Sequence, residues 1–439
     1  MAKKVVLGCE LNEIFLQVSF AAEGGRASSL HMPSSNKLLQ MPLSIAREKG
    51  GGSWAYGEDA YKVRNRGGDI AEDLYSHLGE TIRIAGDMYT YEELLGLFFG
   101  HMMRMARHAC EEALNEDVDI VSVVISAEPF PEKAQQLIKN CFRDSSIGQV
   151  FLQGHEESLF SYLIHQPERL LGYVTGVLDL TSENMTAYCM EVNPRTSPVV
   201  VTIERDENTG IVKKKYYPSI MEHDQALAEM DEVLADYVTR FTQGKIVTSM
   251  YLVGDGFAKD WYPQSRKVLC KNRKVFAGSN LFSKGAAFSA AEHIWPGSEK
   301  EDFLFLGRDM LRYNIGMQVA EGASEGYLPL LDAGVSWYEA KCETEILLET
   351  ADEIRLFIQP ISGGGNFELS IPIGEEEERP GRAYRYTLRT EMLGRNTLQC
   401  TLRDEGFGQI YPPKDGEIKV TFQLDGAEEE KEDTEEEKE

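Results

Sequence analysis

Few of the chain's reactive side chains stand at spacings with a recognised chemistry. His101 and His108 lie seven residues apart on one predicted helix, with Glu111 and Glu112 after them. A helical metal pair needs the closer i, i+4 spacing, so these read as packing or surface residues. Seven cysteines (Cys9, Cys110, Cys141, Cys189, Cys270, Cys342, Cys400) are an odd number with no Cys-x-x-Cys among them. They point to reduced, mostly buried thiols rather than to disulfides or a zinc site. The sequence holds no Gly-x-Ser-x-Gly, Walker A, His-Glu-x-x-His or EF-hand pattern, so the chemistries those spacings serve have no support. What remains are two acidic turns, Glu10-Leu11-Asn12-Glu13 and, just after Asp179, Thr181-Ser182-Glu183-Asn184.

Each turn joins two predicted strands, Val5–Leu7 with Ile14–Phe20 and Tyr173–Leu180 with Met185–Val192. A Gly-rich stretch at Gly50-Gly51-Gly52 and a polar segment to about Asp87 follow the first hairpin. Thr90-Tyr91-Glu92-Glu93 then reads as a capping box before a long amphipathic helix with Leu94, Leu95, Phe98, Met102, Met105 and Ala109 on one face. Met102, Met103 and Met105 read as core filler. A buried-type strand at Ile120–Ser126, a helix opened by Pro131, a strand at Gln149–Gln153 and a helix over Glu156–His165 complete this half.

The order recurs after Gly172. The second hairpin is followed by a strand at Val199–Glu204, a turn at Glu207-Asn208-Thr209-Gly210 and a strand at Val212–Tyr217. A helix capped by Asp224 and closed by Gly244 carries Leu227, Met230, Val233, Leu234, Val238 and Phe241. Strand Ser249–Val253 and helix Phe282–His293 end the repeat. Meander, helix, strand, helix appears twice, which predicts a duplicated α/β unit with a cleft between its copies.

After Trp295-Pro296-Gly297 the pattern turns to period two, at Glu343–Leu347, Ile354–Ile358, Phe367–Ile371, Tyr384–Leu388, Leu398–Leu402 and Ile418–Phe422. This is the signature of an antiparallel sandwich. Glu375–Glu378 reads as a solvated loop that could also attract a basic partner.

The chain has 439 residues and a formal net charge of −27. The last thirteen residues, Ala427–Glu439, hold nine acids and two lysines, which accounts for −7 and leaves −20 on the body. Such a surface lacks the basic footprint that nucleic acid or an anionic membrane needs. With 42% apolar residues the chain can bury ordinary cores. The longest compact apolar run, Leu94–Phe99, is far short of the roughly 20 residues that span a bilayer, and the N-terminus reaches Glu10 before a signal peptide's apolar region could form. A soluble, cytoplasmic protein with a disordered acidic tail is expected.

The duplicated unit resembles the actin and Hsp70 ATPase superfamily, and Hsp70 more closely. The resemblance is carried by Ile120–Ser126 with Phe130 after it, by the Glu156–Tyr162 helix start, by Tyr251-Leu252-Val253-Gly254-Asp255-Gly256 as an adenosine motif running into Phe257, and by the small-residue helix Ser283-Lys284-Gly285-Ala286-Ala287-Phe288. Glu301–Leu306 is similar to the family's interdomain linker. It implies an α/β fold of the duplicated actin/Hsp70-like (ribonuclease H-like) type with lobes at 1–168 and 169–297, a linker at 298–307, a β-sandwich domain at 308–426 and a tail at 427–439. It extends only loosely into the β domain, and no segment matches the helical lid. For Gly285 the alternative is close helix packing without a ligand; for the linker it is an edge strand.

In this family each phosphate hairpin carries an Asp, then Gly and Thr, because backbone N–H groups must reach phosphate oxygens unobstructed. Here the resemblance places Glu10, Asn12 and Glu13 at those positions of the first hairpin, and Asp179, Ser182 and Glu183 in the second. Glu10 and Asp179 would hold Mg²⁺ if nucleotide binds. The family's catalytic lysine has only Lys62, one place late, in Gly57-Glu58-Asp59-Ala60-Tyr61-Lys62. Like charges about 5 Å apart at an effective dielectric near 20 repel by roughly 3 kcal/mol, so Glu13 and Glu183 oppose a triphosphate. The leading expectation is a pseudo-ATPase binding or scaffold protein for a peptide or protein partner, with no cofactor. The alternatives are an ATP-dependent chaperone that holds Mg-ATP weakly, and a superfamily sugar or acid kinase.

Overall fold

Val5, Val6, Leu7, Cys9 and Leu11 are all fully buried on one strand, Lys3–Leu11. Burial of consecutive residues means that both faces are covered, as in the middle of a layered α/β sheet. The computed structural model that shows this describes residues 2–127, 138–140, 142, 147–167, 170, 172–181, 183–194, 198–212, 224–296, 303–308, 310–321, 324–348, 353–361, 365–373, 384–408, 412–413 and 416–424. The chain forms two units, Met1–Leu304 and Phe305–Glu439.

In the first unit, Lys3–Leu11 pairs antiparallel with Phe15–Ala22 and parallel with Val118–Ala127, which carries Gln149–Gln153 in parallel on its other side. Ser28–Ser29 and Gln40–Pro42 both pair with Phe15–Ala22. A second sheet repeats the plan. Val174–Asp179 pairs antiparallel with Thr186–Asn193 and parallel with Val247–Val253; Val199–Asp206 lies beyond the former and Lys274–Gly278 beyond the latter. Five strands of each sheet therefore follow one spatial order and one pattern of directions. Parallel neighbours need a crossover, and helices Tyr91–Leu114 and Asp224–Thr242 supply it in the two halves.

The expected capping box and closing glycine are present, whereas Asp224 is the first residue of its helix rather than the residue before it. Thr90 accepts from the Glu93 backbone N–H, and the Glu93 carboxylate accepts from that of Thr90. Asn115 closes that helix in the left-handed region at φ 53°, and Gly244 follows the other at φ 73°. Helix Leu281–Ile294 is buried nearly all round because two glycines let backbone approach backbone. A Cβ on Gly8 would lie 2.0 Å from the Ala287 nitrogen, and one on Gly285 would lie 1.8 Å from the Ser158 carbonyl oxygen. The helix is thus pressed between strand Lys3–Leu11 and helix His155–Ile164.

The second unit has two four-stranded antiparallel sheets. One is ordered Ser324–Leu331, Tyr313–Glu321, Glu353–Pro360, Phe367–Pro372; the other Lys341–Leu348, Tyr384–Gly394, Thr397–Asp404, Glu417–Gln423. Ile315, Leu356, Ile358 and Ile371 of the first share a core with Tyr386, Leu388, Leu398 and Leu402 of the second. All six strands expected here form. Tyr313–Glu321 and Ser324–Leu331 were not foreseen. Phe303–Leu306 is a strand, and the chain passes from one unit to the other inside it. Most of the helix expected from Pro131 and of the strand expected at Val212–Tyr217, Glu301 and Asp302, the Glu375–Glu378 loop and the tail lie outside the described residues; 138–140 are helical. The six described cysteines are free thiols. Among the described residues no helix is long and apolar enough to cross a membrane.

Candidate functional site

The first strands of the two sheets each run into a turn closed by its own side chain. Asn12 is buried, and its Oδ1 accepts the backbone N–H groups of Ile14 and Phe15, both at 2.9 Å. In the second turn Asp179 Oδ1 accepts the Thr181 backbone N–H at 2.9 Å and the Thr181 hydroxyl at 2.5 Å. Asn and Asp readily form such turns because their short side chains reach the backbone two residues on. Here the side-chain oxygens occupy turn donors that a bound anion would have to use.

The two turns open on one cavity of about 450 Å³. Glu10, Asn12 and Glu13 line it from the first hairpin, and Asp179, Thr181 and Glu183 from the second. Glu10 is 2% exposed. One carboxylate oxygen, Oε1, accepts from Asn12 Nδ2 at 3.4 Å, and the Ser283 backbone N–H, in the first turn of helix Leu281–Ile294, also donates to the group. The other oxygen, Oε2, is buried with no hydrogen-bond partner. Burial first, and the Asp179 carboxylate second, push the Glu10 carboxyl well above the usual range. His155 lines the wall, stacked on Phe282 with ring centroids 4.4 Å apart. Its basicity is pushed down to about 3, chiefly by burial and then by the Arg205 guanidinium. Arg205 pairs with Glu207 at 2.8 Å and lies over the Tyr188 ring at 5.9 Å.

A second cavity of about 590 Å³ shares Thr181 with the first. Gly254, Asp255 and Phe257 line it together with Ile14, Phe15 and Ala277–Ser279. Gly254 has φ +96°, and a Cβ there would come 2.5 Å from the Thr181 nitrogen. Only glycine permits this loop to lie flat on the second hairpin. Gly256 donates its N–H to the Leu180 carbonyl at 3.2 Å, and Trp261 Nε1 donates to the Gly256 carbonyl at 2.7 Å. Phe257 is buried against Trp261.

The remaining candidates fall elsewhere. Lys62 is exposed on helix Glu58–Asn65, paired with Asp59 at 2.6 Å, and lines neither cavity. Lys284 is half-buried beside Gly285 on the packed helix, where burial lowers its basicity. Ser182 lies outside the described residues. His101 stacks on Tyr56 at 4.0 Å, and His108 lies on the surface near Glu111 and Glu112. Among the described residues no three His, Cys, Asp or Glu side chains are placed to hold a metal ion. His155, Thr186, Tyr188 and Arg205 line the cavity without having been marked by any local motif, and Glu207 and Asn208 were read only as part of a turn.

Two family profiles match the chain. Residues 27–308 match the family described as Family of unknown function (DUF5716) C-terminal, and residues 310–424 match Domain of unknown function (DUF8552). The two ranges meet within a few residues of the boundary between the units after Leu304. No curated protein matches the chain.

Proposed function

The chain belongs to the family of unknown function DUF5716, and we propose that it is an Hsp70-like, non-catalytic binding or scaffold protein whose actin-type head no longer turns over ATP. The strand order common to the two sheets supports the head assignment, since a duplicated meander with two added parallel strands is the plan the sequence resemblance implies. The observation that carries the loss of ATPase activity is the closure of both turns by Asn12 and Asp179. A phosphate needs those backbone N–H groups, and displacing the side-chain oxygens would forfeit hydrogen bonds already made. The carboxylates of Glu10, Glu13, Asp179 and Glu183 on the same wall add repulsion. Calorimetric titration of the pure protein with Mg-ATP tests the reading: no sub-millimolar binding is expected, and binding with turnover overturns it.

A partner for the β domain is a peptide or protein segment. Lys341–Leu348 is an edge strand of its sheet, with Leu347 70% exposed, and edge strands can accept an added extended segment. One observation favours a second reading, an ATP-dependent chaperone. Glu10 and Asp179 reach the same cavity, and Mg²⁺ held there would bring a triphosphate with it. The same titration, followed by phosphate release, separates the two.

A further inference from the structure

We propose that the cavity between the two hairpins binds an organic ammonium ion, either a free polyamine or the lysine side chain of a partner, where its fold would otherwise cradle phosphate. The inference rests on the reading of this cleft as one that does not hold nucleotide phosphate.

Its starting point is Glu10. A carboxylate that is 2% exposed, with an oxygen that has no donor, is costly to bury. Buried polar atoms almost always find a partner, so an orphan at the wall of a cavity calls for one that comes from outside. The cavity tells what kind. Glu13, Asp179 and Glu183 line it beside Glu10, while its guanidinium, Arg205, is already engaged by Glu207 at 2.8 Å and by the Tyr188 ring. Among the described lining residues carboxylates outnumber the guanidinium, and a cation is the ligand that complements them. Among the described residues, no three carboxylate or imidazole side chains converge as metal ligands do. The acids are instead distributed around about 450 Å³, room for a group with length and several donors. An ammonium ion offers three N–H donors to separate oxygens and needs no fixed polyhedron.

The full-length protein is titrated calorimetrically with spermidine, with a short end-blocked oligolysine peptide, with MgCl₂ and with Mg-ATP. One site is expected for spermidine, for the peptide, or for both; the arm that saturates identifies the source. A bound ammonium ion favours the ionised form of Glu10, so Glu10→Gln, and separately the exposed-turn double variant Glu13→Gln/Glu183→Gln, should each weaken that site at least tenfold, the loss expected from removing a carboxylate near the cation after screening. Removing two charges outside the lining, by Glu23→Gln with Asp87→Asn, should leave it within about twofold. Binding that responds equally to all variants is non-specific attraction to an acidic chain and overturns the proposal, as does a site that takes only Mg²⁺. If neither cation nor ATP binds, the ammonium site is refuted while the pseudo-ATPase reading stands. If Mg-ATP binds tightly, both fall.

Discussion

Asn12 Oδ1 and the Phe15 backbone nitrogen are 2.9 Å apart, and that one contact decides what the first hairpin can offer a ligand. With Ile14 bonded to the same oxygen, the turn is satisfied from within. Replacing Asn12 by Gly and Glu13 by Thr should release both donors and remove one negative charge. Mg-ATP affinity should then rise by roughly one to two decades, because relief of one like-charge contact near 5 Å is worth up to about 3 kcal/mol before screening. The cost is loss of the turn hydrogen bonds, about 1 kcal/mol of stability. Parallel calorimetry and urea denaturation of the double variant check both numbers; unchanged ATP affinity would show that the turn is not what excludes phosphate.

Glu10 and His155 share the cavity but shift in opposite directions, which sets an unusual pH dependence. Glu10 is raised above its ordinary 4.5 in the folded protein. The native state therefore keeps a proton that the unfolded chain loses, and stability falls as pH rises above about 4.5. His155 is lowered from 6.5 to about 3. There the unfolded chain holds the extra proton, and stability falls as pH drops below about 6.5 and on toward 3. Between about 4.5 and 6.5 the two slopes, each at most about 1.4 kcal/mol per pH unit, oppose one another. Glu10→Gln should leave a profile that climbs with pH across this window, and His155→Phe, which keeps the stack on Phe282, one that descends. Urea midpoints from pH 4 to 8 read both, and coincidence of either variant with the wild-type profile would refute the assignment.

Gly285 and Gly100 offer a pair of identical substitutions with opposite expected signs. Both lie inside helices, where Gly→Ala ordinarily gains up to about 1 kcal/mol. A Cβ on Gly100 meets only the Arg104 guanidinium at 3.7 Å, an ordinary contact, so Gly100→Ala should stabilise by a few tenths to 1 kcal/mol. A Cβ on Gly285 meets the Ser158 carbonyl oxygen at 1.8 Å, and backbone cannot swing aside as a side chain can. Gly285→Ala should therefore cost about 2–4 kcal/mol through forced separation of the two helices. Thermal melts of the two variants should move in opposite directions.

Much of the fold was legible because its longer elements carry their period in the residues. The Thr90–Glu93 capping box, the apolar face of helix Asp224–Thr242 and the alternation of Tyr384–Gly394 each follow from local spacing. The segment between Gly25 and Tyr89 was not legible. Its strands, such as Ser28–Ser29, Ala55–Tyr56 and Asp69–Ala71, are two to four residues long, too short for a period of two to show. In the candidate site the acidic residues of the turns were visible, and Glu10, Asn12, Glu13, Asp179 and Glu183 do meet at one cavity. The inward turn of Asn12 onto its own backbone depends on φ and ψ rather than on composition. The meeting of His155 with Arg205 depends on a chain separation of fifty residues, which no local pattern encodes. Lys62, one place late for the motif it was compared with, lies on an exposed helix face, paired to Asp59.

Asp231 provides a final, independent test of how one helix start is built. Helix Pro263–Leu269 opens with Tyr262 at its cap position, which supplies no side-chain bond. The orphan N–H groups of Gln264 and Ser265 instead donate to the two carboxylate oxygens of Asp231, at 2.7 and 2.8 Å, and the Ser265 hydroxyl donates to Oδ1 at 2.5 Å. Asp231 is 1% exposed on helix Asp224–Thr242, so one helix caps another. A carboxylate at a helix N-terminus also meets the positive end of its dipole. Asp231→Ala would leave one buried and one part-buried donor unpaired and should cost about 2 kcal/mol. Asp231→Asn keeps one acceptor and should cost about half of that. The loss should appear in urea denaturation and, because the capped helix has only seven residues, as faster amide exchange across Pro263–Leu269 than elsewhere in the unit. Uniform acceleration of exchange would mean that Asp231 supports the core at large rather than this helix start.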